Sequence, residues 1–219
     1  MTEAPARRNR PYAPRLLPEQ RREQLLDVVL EIINTDGVGA VSMDAVARRA
    51  GVTRPVVYGQ FTDTNNMLRA ALDREEPRAL AQILDAIPGP VDTDLADSFR
   101  HLFDTYLHAV AEAPQRWRAI FMIADSGTPA FHKRVARVRA RIVQEIEAAL
   151  RKSCDNDRLG DPELLAHHLL AMLWESGRLL LVSPKDYTHD RLLESLDAVF
   201  GAIADHTAPS SNCVAGPDM

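Results

Sequence analysis

The segment "VARRAGVTRPVVYGQF", residues 46–61, places a glycine and a proline four positions apart between two apolar patterns. Proline is tolerated in the first turn of a helix, where its missing N–H would be unpaired anyway, but not in the interior. Glycine supplies the left-handed backbone that a tight turn after a helix needs. Gly51 and Pro55 therefore require one helix to stop, the chain to turn, and a second helix to start within about four residues. Ser42 is a good N-cap for the first helix, "MDAVARRA", and Thr53 stands at the cap position of the second, "RPVVYGQ". Ala47 must be small where the helices cross, and Val46, Val52 and Val57 are placed to bury between them. The unit reads as a helix-turn-helix whose second helix is short. A short helix suits presentation of its N-terminal side chains to base edges in a DNA major groove.

The rest of the chain is helical in pattern. Leu25, Leu26, Val29, Ile32 and Ile33 recur at three- and four-residue steps after Pro18, and Gly37 lies just past the expected end. A fourth helix is expected from about Asp63, with Met67, Leu68, Ala71 and Leu72 inward and a kink or short break at Pro77. "PGP" at 88–90 reads as a loop, and helical stretches follow at about 93–113, 115–125, 130–152, 162–182 and 189–206. No strand pattern or repeat is visible. The fold expected is all-α, with about nine helices: a flexible basic arm over residues 1–17, a three-helix helix-turn-helix domain over 18–62, a larger helical domain over 63–206 and a disordered tail over 207–219.

Charge separates the front from the body. Net charge is −5 over 219 residues. Residues 1–61 carry nine arginines against seven acidic groups, so the acidic excess lies in the remainder. Six of those arginines fall within the first 22 residues. A basic front on an acidic body is the asymmetry of a protein whose front alone meets DNA; a solvated arm without a partner gives the same count. No apolar run reaches the ~18 residues of a membrane span, and "MTEAPARRNRPYAPRLLPEQ" lacks a signal-peptide core, so a cytoplasmic protein is expected. Two cysteines, Cys154 and Cys213, give no disulfide framework.

In the helix-turn-helix, Thr53, Arg54 and Gly59 suit the DNA-facing surface. Arg54 can reach guanine O6/N7 in bidentate fashion, Pro55 or Val56 a thymine methyl, and Tyr58 a phosphate. Taken together, "LDVVLEIINTDGVGAVSMDAVARRAGVTRPVVYGQF…MLRAAL" resembles the DNA-binding domain of the TetR (tetracycline-repressor) family of bacterial regulators over about residues 22–72. The resemblance implies a homodimer on an inverted-repeat operator, usually a repressor, released when a small molecule enters the C-terminal domain. Ser42, Thr53, Arg54, Pro55, Val56, Tyr58, Gly59, Gln60 and Thr64 are the DNA-binding candidates, joined by Arg7, Arg8 and Arg10 of the arm. Gln60 stands where the family usually carries histidine or tyrosine, and Thr64 where it usually carries a phosphate-binding lysine. Loss of one phosphate cation lowers the salt slope by nearly one unit per half-site, and an arm entering the minor groove would compensate.

The body offers an apolar interior. Leu95, Phe99, Leu102, Phe103, Tyr106 and Val110 form one stripe of the fifth helix. Phe99, Phe103, Tyr106, Trp117, Phe121, Met122 and Trp174 are the ligand-pocket candidates, in a cavity expected among helices five to seven; ordinary core packing explains each of them as well. Asp97, His101, Asp104 and His108 recur on the opposite face with spacing that can chelate a metal, but a solvated face with local Asp–His pairs is the simpler reading, so neither a metal nor a cofactor is expected. The last two helices are more apolar than a monomer's terminal helices need to be. Leu169, Met172, Leu173, Gly177, Leu180, Leu192, Leu196, Val199, Phe200 and Ile203 are expected in a four-helix dimer interface, with an interior hairpin as the other possibility.

The expected function is thus a sequence-specific, DNA-binding transcriptional regulator, a repressor released by a small, mainly apolar ligand. Its partners would be a double-stranded operator, an effector and a second copy of the chain. The alternative is a degenerate helix-turn-helix protein serving as a protein-binding module or small-molecule sink. No nucleophile–base spacing or phosphate loop supports an enzyme.

Overall fold

The computed structural model describes residues 16–87, 95–126, 129–153 and 160–207. The arm arginines Arg7, Arg8 and Arg10, both cysteines and most of the expected C-terminal tail lie outside these residues, and the Ile203 side chain lies outside what is described. The described residues are all-helical: α1 (Pro18–Asp36), a short 3-10 turn (Val38–Ala40), α2 (Met43–Arg49), α3 (Arg54–Tyr58), α4 (Thr64–Ala86), α5 (Leu95–Glu112), α6 (Pro114–Ala124), α7 (Pro129–Ser153), α8 (Pro162–Val182) and α9 (His189–Thr207). None is long and apolar enough to cross a membrane.

Local chemistry accounts for the boundaries. Pro18, Pro55, Pro114 and Pro162 open their helices at the first or second position. Gly37 and Gly51 take φ of 89° and 66° at the turns that close α1 and α2. The Ser42 hydroxyl accepts from Ala45 N–H at 3.1 Å, and the Asp63 carboxylate accepts from Asn66 N–H at 2.7 Å at the start of α4. Thr53 occupies the cap position of α3 but makes no capping bond, contrary to expectation, so its exposed hydroxyl stays available.

At Pro77, where a kink or a short break was expected, α4 continues without a break. The missing N–H orphans the carbonyl of Asp73, but both residues are exposed and water can satisfy that oxygen. Buried Leu72, Ala79, Ile83 and Ala86 hold the helix on either side.

Two apolar clusters fill the interior. The first joins α1–α3 and the start of α4 through Leu25, Val29, Ile33, Val46, Val57, Phe61 and Met67. It also takes in Ala119 and Ile123 of α6 and Phe131 of α7. The second joins α4 to α9 around Phe103, Tyr106, Trp117, Ile142, Leu169 and Phe200. Helix α6 contributes to both, with Trp117 and Phe121 on the body side and Ala119 and Ile123 on the front side. Asn34 of α1 donates to the Gln115 carbonyl at 3.0 Å, and Arg118 donates to Leu181 O at 3.2 Å.

Candidate nucleic-acid interface and effector slot

Helix α3 is held by one buried side chain, Val57, while Thr53, Arg54, Pro55, Val56, Tyr58 and Gly59 all face solvent. Exposed apolar and aromatic groups on so short a helix serve no packing purpose within the chain. Two candidates have partners within the chain. Arg54 is ion-paired to Asp44 in the first turn of α2, so it must leave that carboxylate to reach a base. Gln60 is half-buried, and its main-chain carbonyl accepts from Arg22 at 2.8 Å. The Arg22 guanidinium also lies 4.6 Å over the Phe61 ring, so this arginine braces the end of α3. Ser42 is spent partly on its cap, and Thr64 is the half-buried first residue of α4. Among the described residues of the front, Arg48 is an exposed cation without a partner, which sequence reasoning overlooked. Its helical neighbour Arg49 is instead tied to Glu31 and Asp36 at 2.7 and 2.8 Å.

A buried polar clasp links the front to the body. Glu75 of α4 is nearly inaccessible, yet Arg74 and Arg116 donate to it at 2.7 and 2.8 Å. Arg74 continues to Glu23 and Asp27 of α1 at 3.0 and 2.8 Å. Burial alone would lower the Arg74 pKa, but bonds to Glu23, Glu75 and Asp27 outweigh it and the net shift is upward. Helices α1, α4 and α6 therefore share one charge network beside their apolar contacts.

A cavity was expected among α5, α6 and α7. A small apolar slot of about 40 Å³ opens between α4, α6, α7 and α8, lined by Leu72, Ile83, Trp117, Ile120, Ile142 and Trp174 among others. Of the seven pocket candidates only Trp117 and Trp174 reach it. Phe99 and Phe103 pack on Phe200 of α9 with centroids 5.9 and 5.1 Å apart, so they are core. Tyr106 and Phe121 sit behind Trp117, and Met122 turns toward the front cluster near Gly37. At its mouth the slot shares Glu76, Leu80 and Val138 with an open groove of about 390 Å³ that Arg134, Arg137 and Arg141 line. Arg134 pairs with Asp73 and Glu76, whereas Arg137 and Arg141 have no partner among the described residues. The Trp117 indole N–H and the Tyr106 hydroxyl are buried without a hydrogen-bond partner. Burial pushes the Tyr106 hydroxyl pKa strongly upward, so it remains a neutral phenol.

The expected dimer residues divide. Leu169, Leu173, Gly177, Leu180, Leu192 and Phe200 are buried within the single chain. Gly177 leaves room for Tyr106 and Phe121 of its own chain: an added Cβ would clash with Tyr106 Oη and come within 3.1 Å of Phe121 Cζ. Met172 and Leu196 are half-buried, and Val199 is exposed. Leu164 and Val182, absent from the sequence-based set, stand 51% and 77% exposed near the two ends of α8.

Residues 25–71, which span α1 through the start of α4, match the family described as bacterial regulatory proteins of the tetR family. This segment is a TetR-family DNA-binding domain. The curated relatives it resembles include the HTH-type transcriptional regulator SrpR of Pseudomonas putida, 29% identical over 64% of each chain. They also include the HTH-type transcriptional activator FasR of Mycolicibacterium smegmatis, 31% identical over 49% of this chain and 48% of the relative. The matched stretches thus span about half to two thirds of these relatives. Among solved structures, a TetR-like transcriptional regulator from Rhodococcus sp. RHA1 superposes with a TM-score of 0.70 at 21% identity, over 85% of this chain and 97% of the other. A SmeT–triclosan complex superposes with a TM-score of 0.63 at 18% identity, over 91% of this chain and all of the other. These structures share the fold of both the front and the body.

Proposed function

We propose that this chain is a TetR-family, sequence-specific DNA-binding transcriptional regulator that acts as a homodimer. It represses from an inverted-repeat operator and is released by a small, mainly apolar effector. The observation that carries this reading is the exposed set Thr53, Arg54, Pro55, Val56 and Tyr58 at and on a five-residue helix anchored by Val57. In this reading α3 enters the major groove, with Arg48 and Tyr58 on phosphates beside it. The half-buried and exposed apolar residues Met172, Val182, Leu196 and Val199 of α8 and α9 meet their copies across a two-fold axis.

The effector would enter the slot between α4 and α7. At about 40 Å³ the closed slot is far below the ~300–1,000 Å³ of ordinary ligand sites, so occupation must part these helices. The unpaired Trp117 N–H and the free Arg137 and Arg141 at the mouth favour a ligand with an apolar body and an acceptor or acid at one end. Parting α4 from α7 moves the helix that leads directly into the reader, and α6 carries the same displacement to Ala119 and Ile123 beneath α1. Release then follows from the effector's preference for the conformation with the wrong reader separation.

The rival reading, a degenerate module that no longer binds DNA, is favoured by the Arg54–Asp44 pair and the uncharged Thr64. Selection of bound duplexes from random DNA at ~150 mM salt separates the two. The proposal expects enrichment of an inverted repeat; enrichment of no sequence by folded protein favours the degenerate module. A reporter downstream of the enriched site then gives the sign of regulation.

A further inference from the structure

Away from the reader and the slot, three metal-ligating side chains converge where α5 meets the start of α9. Asp104 and His108 are one turn apart on α5, and His189 is the first residue of α9. One ligand atom from each lies within 4.8 Å of the others. His189 Nε2 is 3.1 Å from Asp104 Oδ1, and the two imidazole centroids are 4.2 Å apart. The other half of the spacing noticed in the sequence, Asp97 and His101, takes no part.

Hydrogen-bond chemistry makes this cluster unusual. His189 Nδ1 lies 3.3 Å from Asp190 Oδ1, so one of the two neutral tautomers carries its hydrogen toward that carboxylate. In that tautomer the Nε2 lone pair faces the Asp104 carboxylate at 3.1 Å, two acceptors with no hydrogen between them. His108 Nδ1 is 2.9 Å from the Asp104 main-chain oxygen and donates there, so it too presents its lone pair on Nε2. Among the described residues the Asp104 carboxylate pairs with these two rings and no other cation, and Arg100 on the same helix is occupied by Asp197. Either a hydrogen on His189 Nε2 or a metal cation there resolves the contact.

We propose that Asp104, His108 and His189 form a divalent transition-metal site, with Asp190 holding the His189 ring from behind. Two imidazoles and one carboxylate suit Zn²⁺, Ni²⁺ or Co²⁺ over hard oxygen-seeking cations. The Asp190–His189 contact repeats the outer-shell carboxylate that fixes the tautomer of metal-bound histidine. Metal–ligand distances of ~2.0–2.2 Å require the side chains to close by roughly an ångström, which exposed His108 can do by rotation. Three protein ligands leave a coordination position for water. The ion staples the first turn of α9 to α5 and so fixes the helix that carries Leu196 and Val199; only this last consequence rests on the proposed dimer.

The test is calorimetric titration of Zn²⁺ and Co²⁺ into full-length protein previously stripped with chelator, at pH 7.5. The expected result is one ion per chain with micromolar or tighter affinity and, for Co²⁺, visible absorption of a four- or five-coordinate ion. His189→Ala and His108→Ala should each lose at least ~100-fold in affinity, and Asp190→Asn about 10–100-fold. The double variant His167→Ala/His168→Ala, outside the cluster, should bind as the parent does. Circular dichroism of each variant confirms that loss of binding is not loss of fold. Binding no tighter than millimolar overturns the site and assigns the contact to a hydrogen on His189 Nε2. Tight binding that survives His189→Ala also overturns it and places the ion elsewhere.

Discussion

Arg54, the first residue of the recognition helix, is ion-paired with Asp44 in the first turn of the preceding helix. The one side chain able to read guanine in bidentate fashion is therefore restrained by a carboxylate that also repels the DNA backbone. Both groups are largely exposed, and such pairs are worth at most ~1 kcal/mol. Asp44→Asn should consequently tighten operator binding several-fold. Arg54→Ala should weaken it by about 1–3 kcal/mol per half-site and relax selectivity at one base position. Anisotropy titrations of parent and variants against the enriched duplex and a mutated one measure both effects.

Glu75 carries a second prediction. Arg116→Ala removes one of two close guanidinium partners from a nearly inaccessible carboxylate, leaving Arg74. Hydrogen bonds to charged groups contribute about 1.5–3 kcal/mol, so denaturant unfolding should show a loss in that range. Glu75→Gln, which keeps the shape without the charge, should be milder. Equal stability of parent and Arg116→Ala would remove the clasp from the account.

Gly177 and Tyr106 form a coupled pair. Alanine at 177 gains about 1 kcal/mol in helix propensity, but its Cβ would clash with Tyr106 Oη and lie 3.0 Å from Cζ. Overpacking of this kind typically costs about 1–3 kcal/mol, so Gly177→Ala should destabilise on balance. Tyr106→Phe removes both the clashing atom and an unpaired buried hydroxyl, and should itself be neutral or stabilising. The double variant should then recover most of the Gly177→Ala loss, read as a non-additive term in a double-mutant cycle.

Asp63 predicts an acid-side pH dependence. Its hydrogen bond from Asn66 N–H is the largest cause holding its carboxyl below the ordinary value of 3.8. The folded state therefore favours the ionised cap. Its contribution is fully present above the unfolded pKa and is lost as pH falls through the lower folded value. Asp63→Asn keeps an acceptor that does not titrate. Thermal unfolding should show the parent's advantage over Asp63→Asn at pH 6 and its disappearance as pH drops below 3.8.

What could be read from residue order alone follows from how local each cause is. Ser42, Gly51 and Pro55 act within a turn of themselves, and α2, α3 and their boundaries appear where those residues put them. The all-helical architecture and the boundaries of α5 to α9 were legible from three- and four-residue periodicity in the same way. Whether Pro77 breaks α4 depends on whether the Asp73 carbonyl is wet, which periodicity does not report. The pocket was only partly legible. Phe103 and Trp117 look alike as stripe residues, and only the packing of α9 decides that one meets Phe200 while the other lines a slot. Helix α8 is apolar nearly all round, so its buried Leu173 and exposed Val182 carry no distinguishing pattern. Nor does any local rule bring His189 to Asp104, 85 positions away.

The proposed mechanism is geometric: two copies of α3, held at a set separation, read one operator. Its most direct measurement is the affinity of full-length protein for the enriched duplex after insertion of five base pairs between the half-sites. Five pairs rotate one half-site by about half a turn of B-DNA, which spans ~10–10.5 base pairs. Binding at ~150 mM salt should fall to the level of a duplex bearing a single half-site. Affinity unchanged by the insertion would contradict the mechanism, because the two readers would then be independent.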